Sequence, residues 1–396
     1  MKSHFNIYII ISLLFFGCRD SNEPFSYSED FSIDNYDINF SNEDILSLNT
    51  IELGEVRDLY FSSNRLFVAT EDQGIYIYDI NSFETSNSIA LSDGNYLENL
   101  YENIIWGADK DIRRIHYSES SNLVYALDRF GFTYHGYLPY LLGEYDSSLL
   151  LCAPVDTLIK NECSTTGIQK NATQFIVDES NIDPELYILY KHNADNELYT
   201  ETSYSSIKFM EYYLPPQMTL DFCELFAICD QEAISINDSL GYNINDMFYS
   251  NDKLYFANSN DNQFSFEVYD RLGGLVDEYV TDSEVKSIYA VNDFVLSGTR
   301  NGCYITLLED SGISEDENSK LVLAEDYTIY DIFYDNGKLI LSAGSDGILI
   351  YDWDGQSFDF SENLRIYTAY SYTARIFENS VFVATKEGLE IYNIEE

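Results

Sequence analysis

Polar residues recur at one fixed place in an otherwise apolar repeat, and that is where chemistry would sit. Asp58, Asn99, Gln174, Asp246, Ser287, Asp331 and Thr373 each take the third position of a short alternating segment. A polar side chain held inside an apolar repeat needs water, an ion, a ligand or a hydrogen-bonding neighbour. Converging carboxylates such as Asp58, Asp246 and Asp331 would serve as general acid and base on a polymer, the chemistry of a hydrolase or lyase. The plainer role is a ring of hydrogen bonds between neighbouring repeats, and it is the reading preferred here. A second set is cationic. Arg57 and Lys286 begin such segments, and Lys110, Lys191, Arg300 and Lys386 lie in turns that should share their rim. Together they would form a locally less negative pocket for an anionic group. The alternative is exposed ion pairs with Asp72, Asp109, Asp346 and Glu387, each worth little, and this too is the preferred account.

Other chemistries lack their patterns. No Gly-x-Ser-x-Gly elbow or Gly-x-x-x-x-Gly-Lys phosphate loop occurs. There is no Cys-x-x-Cys, and His4, His116, His135 and His192 do not fall at ligand spacing, so no metal site of Cys and His is expected. Calcium is the one cation worth considering, because it takes carboxylate and carbonyl oxygens. The acidic turns at 258–263, 314–319 and 352–359 offer such oxygens but none has a complete calcium-loop spacing, so solvated turns are the simpler account. No cofactor is expected.

The elements that must position these residues are strands. Val56 to Ile80 (VRDLYFSSNRLFVATEDQGIYIYDI) recurs from Ile244, Val285, Ile329 and Ser371, and the stretch from Leu97 fits the same template. Each copy reads as strand, turn, strand, turn and strand, with a fourth strand such as 86–92, 274–280 or 319–325. Starts at 56, 97, 244, 285, 329 and 371 give adjacent spacings of 41 to 44 residues. Four short strands in that length are the mark of a β-propeller blade. Apolar residues on both faces of the middle strands fit, because each blade must pack against two neighbours. Weaker copies near Phe132 and Ala172 bring the count to eight, with seven as the alternative, and the 72-residue step from 172 to 244 implies an insertion at about 205–232, with an extra strand pair over 223–238 as the alternative. The expectation is therefore an all-β chain with one propeller over 44–396. The last copy lacks a fourth strand, and residues 44–53 look like an orphan one, so they should pair with 388–394 and close the ring.

The N-terminus reads as an address. An apolar run of eleven residues, Ile7 to Gly17, follows Lys2. Spanning a bilayer core of about 30 Å needs about 20 residues, so the run suits an export signal instead. It stops at Gly17-Cys18 and polar residues follow. This resembles a bacterial lipoprotein signal, which implies removal of 1–17, lipidation of Cys18 and a tether over 18–43. In an oxidising compartment Cys152, Cys163, Cys223 and Cys229 become disulfide candidates whose connectivity stays open, and Cys303 is left as a small apolar residue.

The segments at 74–80 (GIYIYDI), 347–353 (GILIYDW) and 388–394 (GLEIYNI) resemble the LVIVD-type repeats of secreted bacterial propellers, and 104–117 resembles the propeller repeats of bacterial sensor periplasmic domains. That resemblance implies a surface or periplasmic binding module. Composition agrees with it. The chain has 396 residues, 68 Asp+Glu against 21 Lys+Arg, a net charge of −47 and 16% aromatic residues. So many aromatics can build a core, which excludes a disordered acidic tail. The charge excludes nucleic-acid binding through phosphates and electrostatic binding to an anionic leaflet. The expected function is a monomeric, lipid-anchored module of the bacterial cell envelope, at the outer membrane or cell surface, with a protein or glycan partner. The alternative is a propeller hydrolase or lyase using channel carboxylates.

Overall fold

The structure, a computed structural model, describes residues 45–62, 65–82, 89–91, 95–96, 111–120, 123–129, 133–137, 172–179, 185–192, 204–212, 229–234, 243–260, 263–270, 274–309, 312–314, 316 and 319–394. The chain is nearly all β over these residues, as its alternating pattern requires. They form seven separate antiparallel sheets. The first strands, in chain order, are Val56–Ser62, Ile112–Ser118, Ala172–Asp178, Asn243–Ser250, Val285–Val291, Asp331–Asp335 and Ser371–Phe377. We number the sheets first to seventh in that order. From each first strand the chain steps outward by hairpins, so sequence neighbours are sheet neighbours.

Each first strand lies beside the first strand of the next sheet, and Ser371–Phe377 lies beside Val56–Ser62. The apolar clusters sit between sheets. One joins Leu59, Leu66, Val68 and Tyr78 of the first sheet to Phe382, Leu389 and Ile391 of the seventh. Others join the sixth and seventh, the fifth and sixth, and the fourth and fifth sheets. This is why strands such as Phe294–Thr299 and Ser380–Thr385 are buried along their whole length. A sheet packed on both sides has no face left for polar residues.

Six of the seven first strands carry the same β-bulge just before the recurring polar position, as between Val56 and Asp58 or Ile244 and Asp246. The sixth begins its ladder at that position, Asp331 opposite Ser342. A bulge leaves one residue unpaired and re-aims the next side chain.

The expected pairing of residues 44–53 with 388–394 is present. Ile45–Ile51 runs antiparallel to Gly388–Ile394, from Ile45 opposite Ile394 to Ile51 opposite Leu389. Gly388 makes the approach possible. Its φ is +146°, and a Cβ there would stand 2.4 Å from the Ile51 carbonyl oxygen. Two segments organise differently from the sequence pattern. The second sheet starts at Ile112, residues 97–110 lie outside the described residues, and the weak copy near Phe132 supplies Thr133–Tyr137 as the third strand of that sheet. Within 205–232, Tyr204–Tyr212 and Cys229–Ile234 are the third and fourth strands of the third sheet, and 213–228 lie outside the described residues. The insertion is expected from the step between 172 and 244, which is 72 residues where the best-defined starts step by 41 to 44.

Replacing Gly388 by Ala should therefore destabilise the protein by about 2 kcal/mol, seen as a lowered urea midpoint at unchanged slope. Removing residues 45–51 should leave Gly388–Ile394 as an edge strand, measured as a drop in Tm with increased light scattering.

Candidate functional site

The residues at the bulged position, taken in sheet order, are Asp58, Arg114, Gln174, Asp246, Ser287, Asp331 and Thr373. Arg114 is the member that alignment from Leu97 missed. Asn99, expected in its place, lies outside the described residues. The likeness of Ile112–Ser118 (IRRIHYS) to Val56–Ser62 (VRDLYFS) was the available signal.

The carboxylates tie neighbouring sheets together. Asp58 is 4% exposed. Its Oδ2 accepts the N–H of Ile115 in the second sheet at 2.9 Å, and its Oδ1 accepts the Leu59 N–H at 2.9 Å. Asp246 repeats the device three sheets on. Its Oδ2 accepts the Ile288 N–H of the fifth sheet at 3.0 Å, and its Oδ1 accepts Gln174 Nε2 of the third at 2.7 Å. Asp331 Oδ2 accepts Thr373 Oγ1 at 2.6 Å and Arg375 Nη1 at 2.8 Å, both from the seventh sheet. Ser287 is too short for this reach, and its buried hydroxyl has no hydrogen-bond partner.

Two guanidiniums hold the carboxylates at the centre. Arg114 Nη2 stands 3.8 Å from Asp246 Oδ1, and Arg375 Nη2 stands 3.9 Å from Asp58 Oδ1. The Arg375 guanidinium also lies 4.7 Å from the Phe333 ring centroid. Burial works against both cations, but the fields of Asp58, Asp246 and Asp331 outweigh it and hold Arg114 charged, as Asp331 and Asp58 do for Arg375. Burial pushes Asp58 above the ordinary carboxylate range despite Arg114 and Arg375. It pushes Asp246 up to about 6, with Arg114 pulling the other way. Three carboxylates face two cations, so the cluster lacks one positive charge, and burial favours the protonated form of both Asp58 and Asp246.

The rim cations are paired. Arg57 contacts Glu55 at 2.9 Å and Glu71 at 3.0 Å, and its guanidinium lies 4.7 Å from the Tyr372 ring centroid. The Tyr372 hydroxyl donates to Glu55. Burial and the facing Glu71 push Glu55 up, whereas its hydrogen bond to Glu55 and the Arg57 charge hold Glu71 down. Glu284 is shared by Lys286 at 2.7 Å and Arg300 at 2.6 Å. Lys386 is exposed. Lys191 lies in Glu185–His192, of whose side chain nothing is described, and Lys110 lies outside the described residues.

Tyrosines form the rest of this rim. Tyr330, Tyr370 and Tyr372 run in sequence, with centroids 6.1 and 5.0 Å apart. The turn at Gly344 fits under them, since a Cβ there would stand 2.9 Å from Tyr330. Two residues on, the Asp346 carbonyl accepts Arg365 Nη2 at 3.1 Å. Arg365 lies between Tyr327 and Tyr367, 5.0 and 4.4 Å from their centroids. Among the described residues no three His, Cys, Asp or Glu side chains gather as a metal site. Asp354, in one acidic turn, accepts the N–H groups of Gln356 and Ser357 of its own turn. Of the cysteines, Cys303 is buried and free, and burial pushes its thiol far up. Cys18, Cys152, Cys163 and Cys223 lie outside the described residues, and Cys229 opens the strand Cys229–Ile234.

The central cluster makes two measurable outcomes. Asp58→Ala strands two buried N–H groups and weakens the hold on Arg375, and should cost about 3 kcal/mol in chemical denaturation. Asp246 has a folded pKa raised to about 6, so the stability it contributes is full at acid pH and is lost as pH rises through 6. The stability difference between wild type and Asp246→Asn should therefore favour wild type more at pH 4.5 than at pH 7.5.

No protein-family model and no curated protein matches the sequence. Solved structures do match in shape. The WD40 β-propeller domain of Doa1 is 11% identical, with a TM-score of 0.54, over 89% of this chain and 97% of that one. The β-propeller domain of Myceliophteria thermophila Cps50 (Swd1) is 8% identical, with a TM-score of 0.55, over 88% of this chain and 100% of that one. At such identity the likeness speaks for the fold alone, and the fold is a β-propeller.

Proposed function

We propose that this propeller is a non-enzymatic interaction module, carried on the bacterial cell envelope by lipid at Cys18 and presenting its rim to a protein or glycan. One observation carries the reading. The carboxylates that a hydrolase or lyase would need, Asp58, Asp246 and Asp331, each accept hydrogen bonds from a neighbouring sheet. A general acid or base must be free to exchange a proton with substrate, and these groups hold the architecture instead. We read the ring as seven-bladed, with Ile45–Ile51 as the clasp. The order of first-strand neighbours, from Val56–Ser62 round to Ser371–Phe377, supports that count over eight. The anchor rests on the Gly17-Cys18 boundary, and the 18–43 segment would hold the ring clear of the lipid.

The test has two arms. Metabolic labelling with a fatty-acid analogue should mark wild type and not Cys18→Ala, and the variant should leave the membrane fraction. A soluble, unlabelled wild-type product would overturn the anchor. Assays on polysaccharide and peptidoglycan fragments should show no turnover. Turnover abolished by Asp331→Asn in a protein of unchanged Tm would establish the enzyme reading instead.

A further inference from the structure

On the rim over the sixth, seventh and first sheets two arginines lie beneath carboxylates that they pair with, while Lys386 is exposed. The Arg57 side chain is 13% exposed and its partner Glu71 is 41% exposed. The Arg365 side chain is 8% exposed and its partner Asp346 is 43% exposed. Tyr367 is 55% exposed, one ring face resting on Arg365. Arg365 spends Nε and Nη2 on the Asp346 carbonyl and Nη1 on the Tyr327 hydroxyl. Asp346 and Glu71 thus offer exposed acceptor oxygens, Asp346 on the same arginine that holds an aromatic ring in place.

We propose that this rim binds a basic segment of a partner protein, with a Lys or Arg meeting Asp346 or Glu71 and an apolar or aromatic side chain lying on the free face of Tyr367. Three things select that partner. The Asp346 and Glu71 carboxylates accept, so the partner group that meets them must donate, and Lys and Arg are the charged side chains that only donate. The chain carries −47, which draws a cationic partner by long-range field and gives a neutral glycan no such advantage. Tyrosine and arginine locked before binding lose little conformational freedom on contact, the property of residues that dominate protein interfaces. Over the fifth sheet the arrangement is the opposite, with Arg300 40% exposed and Glu284 16% exposed.

This inference deepens the interaction-module reading and is tested apart from it. The full chain is immobilised and panned with a phage-displayed library of random peptides, and the enriched peptides are measured in solution. Basic sequences should be enriched. Their affinity should fall about tenfold in Tyr367→Ala and about tenfold in the Glu71→Gln, Asp346→Asn double variant. It should change less than about twofold in Glu278→Gln, which removes a charge from the exposed part of an outer strand. An equal loss in Glu278→Gln would mean attraction to bulk charge and would overturn the proposal, as would peptides indifferent to Tyr367. Either result leaves the interaction module standing. Glycans on an array that need Tyr367 would replace the partner class, and no enrichment at all would overturn both readings. Tyr367→Phe should retain affinity, which separates loss of the ring from loss of the fold.

Discussion

The structure depends on a carboxylate that reaches across a gap between sheets. Radial packing sets first strands side by side without a ladder joining them, so the sheets are separate and their innermost backbone groups face one another. Apolar contacts between sheets supply most of the adhesion, but they are not directional. Asp58 on the Ile115 N–H and Asp246 on the Ile288 N–H add direction. The bulge before each of them turns the side chain toward the next sheet. Where the residue is short, as at Ser287, or cationic, as at Arg114, the same position does a different job. Arg114 reaches toward Asp246 of the fourth sheet, so one guanidinium serves carboxylates of sheets that do not adjoin its own.

The central cluster and the rim follow one electrostatic rule. In a chain with more than three acidic residues for each basic one, every cation has a choice of carboxylates. Arg57 and Arg365 therefore settle where desolvation makes pairing matter, beneath the surface, and Glu71 and Asp346 take the solvent. Arg365 beneath Tyr367 and Arg57 beside Tyr372 set their guanidiniums against aromatic rings, which arginine tolerates because its guanidinium is planar and weakly hydrated. The surface left behind is acidic and aromatic, and it was basic residues in the sequence that made this rim look cationic.

Much of this was legible beforehand. The repeat, the propeller, the N-terminal strand against Gly388–Ile394 and the polar position at Asp58, Asp246 and Asp331 all stand in the residue pattern, because apolar alternation and turn residues are local signals. The reading faltered at Ile112–Ser118, which a copy begun at Leu97 puts at its end, and at Tyr204–Tyr212 and Cys229–Ile234, which a 72-residue step marks as an insertion. Arg375 was missed because its role lies in Asp331 and Asp58 of other sheets, and no local pattern points there.

The sequence alone determined that the chain is a ring of repeated strands, where the polar position falls in each repeat, and that the whole is acidic. These properties depend on periods of two and of about forty residues, which a linear string displays. Only the tertiary structure decided which carboxylate meets which backbone, that Arg114 shares Asp58 and Asp331 with Arg375 and takes Asp246 besides, and that Arg57 and Arg365 point inward while Glu71 and Asp346 point out. Those outcomes join residues up to hundreds of positions apart, as in the Tyr372 bond to Glu55. The physical reason is that desolvation and Coulomb energy act through distance in space, which a sequence records only after it has folded.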